Sequence, residues 1–69
     1  MTQKELLYVE DAIGHENTII EICRNTIDSL QEEDLKSYME EQLEKHENLN
    51  KELINILEVK TNDWSNING

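Results

Sequence analysis

Two histidines, one carboxylate beside them and a few amides are the residues of this 69-residue chain whose spacing suggests chemistry. His15 and Glu16 are adjacent, Asp11 lies four residues before His15, and His46 has Gln42 and Asn50 four residues to either side. In a helix, positions i and i+4 share a face, so Gln42, His46 and Asn50 make a polar stretch along one row. Carboxylates and imidazoles between packed helices are how di-iron carboxylate proteins hold metal. Such sites need a Glu on one helix and Glu-x-x-His on its partner. Glu16, His46 and His15 are the candidate ligands here, but the residue three before His46 is Leu43. That breaks the ligand spacing, and Asp11 with His15 is a weak pair because Asp11 points to the solvated side. The residues fit a structural role better. A buried Glu16 would need a hydrogen-bond partner, and His46 is the candidate. No metal, cofactor or catalytic residue is assigned.

Two further chemistries fail on position. Cys23 sits in an apolar row with no basic residue on its face, so nothing there would activate a thiolate. A phosphotransfer histidine needs exposure and cationic help, whereas His46 is central on an apolar arc. A single cysteine excludes an intramolecular disulfide and a multi-cysteine zinc site, and fits a reducing compartment.

The elements that carry these residues are two helices. Thr2 with Glu5 three residues on reads as a capping box. From there Leu6, Val9, Ile13, Glu16, Ile20, Cys23, Ile27 and Leu30 keep a 3-4 spacing. Tyr8, Ala12, His15, Ile19, Ile22 and Thr26 form a second row beside it. Together they span an arc of roughly 200°, too wide for one antiparallel partner to cover. Continuing the first row past Leu30 meets Asp34, Ser37, Glu41 and Glu44, while the apolar phase restarts at Leu35. That shift predicts a break at Gln31-Glu32-Glu33, with Asp34 or a neighbouring acid capping a second helix. From Leu35 to Leu57 the second apolar arc is roughly 160° wide, with His46 near its middle. Helices over about 3–30 and 34–59 would each be roughly 40 Å long and close as an antiparallel hairpin. Residues 60–69 have turn-forming composition and are expected to form a flexible tail, with Trp64 fraying rather than anchoring a partner.

Sixteen acidic against six basic residues give a net charge of −10, which repels nucleic acid and anionic membrane surfaces. No run is long and apolar enough for a transmembrane helix, and the first residues lack a secretory signal. A soluble protein made in the cytoplasm is expected. With 36% hydrophobic residues and no Phe, a monomeric core would be thin, so the hairpin is expected to pair. The predicted outer positions are Tyr8, Ile19 and Ile22 on the first helix and Leu43, Ile54 and Leu57 on the second. The fold expected is all-α, a two-helix hairpin pairing into a homodimeric four-helix bundle.

At Lys4-Glu5-Leu6-Leu7-Tyr8-Val9-Glu10-Asp11-Ala12, followed by Gly14-His15-Glu16, the chain resembles the spore coat protein F family of endospore-forming bacteria. Asp34-Leu35-Lys36 and Lys45-His46 extend the similarity, which covers about residues 3 to 57. That family often has an Asp-Pro turn before the second helix, where this chain has Gln31-Glu32-Glu33-Asp34 and no proline. The resemblance implies a ferritin-like helical architecture and a non-enzymatic structural role in the spore coat, with other coat proteins as partners. It carries no established active site. Two rival readings stand beside it: a ferritin-like metal or redox protein, and a small regulatory helical module that binds another protein.

Overall fold

The computed structural model describes the backbone of residues 1–68 and the side chains of residues 1–61. Thr2 opens the first helix, α1 (Gln3–Ser29), with both halves of the capping box formed. The Glu5 amide donates to Thr2 Oγ1 at 3.0 Å, and the Thr2 amide donates to Glu5 Oε1 at 2.7 Å. Accepting from the Thr2 backbone, and then from its side chain, holds the Glu5 carboxyl below the usual carboxylate value. At the other end Leu30 turns extended, and its amide reaches back to the carbonyls of Thr26 and Ile27.

The second helix, α2, runs Glu33–Asn68. Its cap is Glu32, whose Oε2 accepts from the Leu35 amide at 3.3 Å. The break thus falls inside the acidic run, and no residue there needs a left-handed backbone. α2 has 36 residues against 27 in α1. The helical backbone therefore passes Val59, where the apolar periodicity ends, and continues through most of the segment expected as a tail. No proline or glycine interrupts 60–68, so intrahelical hydrogen bonds can propagate there once the packed part has nucleated the helix. The side chain of Trp64 lies outside the described residues.

The two helices pack as an antiparallel hairpin, 54 × 15 × 12 Å in extent. A radius of gyration of 16.0 Å far exceeds the roughly 11 Å of a compact chain this long. The seam on α1 is the predicted first row, from Leu6 to Leu30, with Ile20 and Cys23 buried at its middle. On α2 the seam is Met39, Leu43, His46, Asn50, Leu53 and Leu57. Among the described residues only two apolar side chains, Ile20 and Cys23, are buried, which makes a thin core, because each helix covers only one stripe of the other.

Candidate functional site

Polar groups concentrate at mid-height of the hairpin. Glu16 lies on α1 in the seam row, between Ile13 and Ile20, and His46 lies on α2 between Leu43 and Leu53. His46 Nδ1 and Glu16 Oε2 are 2.6 Å apart, with the side chains 31% and 13% exposed. With Glu16 ionised the carboxylate accepts, and His46 donates through its Nδ1–H. Next to it Asn50, one of the most buried residues, donates through Nδ2 to Asn17 Oδ1 at 2.8 Å. Asn50 Oδ1 is buried and has no partner among the described residues. Farther toward the turn, Arg24 closes on Glu47 Oε2 at 2.9 Å on the outside of the hairpin.

The expected Glu16–His46 contact is present, and His15 is not part of it. Its side chain is 75% exposed and lies 3.6 Å from Asp11, one turn back on the same helix. Asn17, and not His15, is the α1 residue that meets Asn50. The reason is rotation about the helix axis. At 100° per residue His15 belongs to the outer row, while Asn17 falls at the opposite edge of the seam. Asn17, Arg24 and Glu47 lie outside the apolar rows of the two helices, and each makes a cross-hairpin bond. Among the described residues, no three His, Cys, Asp or Glu side chains converge as a metal site. A cavity of about 380 Å³ lies at the open end, lined by Met1, Thr2, Gln3, Leu6, Lys60 and Thr61, and no residue of the polar layer lines it.

No protein-family model, curated protein or solved structure matches this chain.

The second feature of the surface is apolar. Tyr8 and Ile22 on α1, and Leu35, Tyr38, Leu49 and Ile56 on α2, are between 42% and 62% exposed. On α1 the Tyr8/Ile22 row lies on one side of the seam, and Asn17 with Arg24 on the other. On α2 the Leu35/Tyr38/Leu49/Ile56 row lies on one side of the seam, and Glu47 on the other. Since Arg24 and Glu47 meet across one broad face of the hairpin, both apolar rows share the opposite face. Of the predicted outer positions, Tyr8 and Ile22 lie on this face, with Ile19 half-buried at its inner edge. Leu43 and Leu57 are half-buried in the seam, and Ile54 is exposed on the ion-paired side. The outer apolar row of α2 is therefore the one through Leu35 and Leu49. The sequence arc of α2 was wide enough to supply a flank on either side, and only the rotation of α2 against α1 decides which.

Proposed function

We propose that this protein acts by assembly through the apolar face of the hairpin, pairing with a second copy as a four-helix, ferritin-like bundle and performing no turnover. The observation that carries this reading is the apolar face itself, with its six large side chains from two helices on one side of the molecule. Each such side chain stabilises by about 1.5–3 kcal/mol when fully buried. The chain exposes 5481 Å², against about 4,500 Å² for a compact monomer of its mass. Facing two such hairpins would remove surface on the scale of a stable interface, about 1,200–2,000 Å² in total. Both outer rows repeat at 3-4 spacing, the pattern of helices that pack along their length.

Within this reading the biological setting follows the resemblance to spore coat protein F, and the role is that of a structural component of the coat layer. An acidic chain of net charge −10 suits neighbours that are less acidic or cationic. A fluorescent fusion in a spore-forming host should appear during sporulation and collect at the forespore surface. A fusion that stays diffuse at equal abundance in vegetative cells would remove the coat assignment. The same face would then serve a small regulatory module that docks on another protein.

A further inference from the structure

We propose that the second copy docks antiparallel, about a two-fold axis perpendicular to the helices at the level of Asn17 and Asn50. This rests on the assembly reading above and adds the geometry of the pair. Along the outer row of α2, Lys45 and Glu52 are the charged positions, both exposed, one turn or so to either side of Leu49. If α2 faces the partner's α2 in the opposite direction with Leu49 at the axis, Lys45 meets the partner's Glu52 twice over. Tyr38 then stands level with the partner's Val59. A two-fold along the bundle axis would instead place α2 against the partner's α1, where Glu52 stands level with the partner's His15 but Lys45 stands against the partner's Ile22, with no opposite charge to meet.

The row on α1 selects the same arrangement on different grounds. Its positions run 8, 12, 15, 19, 22, 26, and they match their own reverse about residue 17. In that register Tyr8 meets the partner's Thr26 and Ile22 meets the partner's Ala12, large against small at these two crossings, and His15 meets the partner's Ile19 between them. The centre demanded by charge on α2 is Leu49, and the centre demanded by volume on α1 is residue 17. The hairpin already sets these at one height, because Asn17 and Asn50 are hydrogen-bonded across it at 2.8 Å. One axis therefore satisfies both rows.

Charge reversal tests this on the intact chain, and both positions are exposed in the hairpin, so the variants should fold. By sedimentation equilibrium, Lys45→Glu and Glu52→Lys should each weaken the dimer roughly tenfold. The double reversal should return it to near the parent value. As a second readout, Leu49→Cys in a Cys23→Ala background should oxidise to a covalent dimer. A dimeric parent in which the double reversal stays as weak as the singles, or whose Leu49→Cys variant does not cross-link, overturns the proposed axis and leaves assembly standing. A parent that is monomeric at micromolar concentration overturns both.

Discussion

Glu16 is the residue on which the polar layer depends. A carboxylate so little exposed is tolerated because His46 reaches it, and replacing His46 with Leu would leave it without that partner. Such a variant should lose about 1–3 kcal/mol in urea melts, and adding Glu16→Leu should recover most of it. Should His46→Leu alone raise stability, the pair contributes nothing. This contact was legible in the sequence because both residues occupy seam rows, and rows can be read from spacing. Asn17 was not legible. It lies about a quarter-turn from the seam centre, where a side chain can face solvent or reach inward, and its choice depends on Asn50 of the other helix.

For the elements, spacing determined α1 almost completely: its cap, its seam row and its end at Leu30 agree with the structure. The start of α2 was legible only to the acidic run, since any of several carboxylates can cap, and Glu32 does so. Its far end was not legible, because apolar periodicity reports packing while helical backbone can outlast the packing. Gly14 is a weak point that the structure clarifies. It lies inside α1, and a Cβ built there meets nothing within 4 Å. No close approach requires the glycine, so Gly14→Ala should stabilise the protein by about 0.5–1 kcal/mol, read as a higher urea midpoint at unchanged slope. A loss of stability would mean that something packs on this side of α1.

At the scale of the whole molecule, one seam supplies the core of the single chain, and under the proposed assembly the apolar face is the part that pairs. A hairpin that gains much of its burial from a second copy has a stability tied to concentration. The thermal midpoint should therefore fall by several degrees on hundredfold dilution, followed by circular dichroism. A midpoint independent of concentration would mean the single hairpin supports itself. The Leu30–Glu32 turn has a further consequence, for the order in which the chain closes. Contacts beside the turn join residues only a few positions apart, and each layer outward lengthens the loop slightly, at a cost that grows only logarithmically. The hairpin can thus zip from the turn toward Met1. Arg24–Glu47 lies nearer the turn, and Asn17–Asn50 with Glu16–His46 come after it. A slipped register would set a carboxylate or an amide against leucine or isoleucine at those layers. In such a zipper the polar layer at mid-height would act as a checkpoint, favouring the aligned chain over the misaligned one.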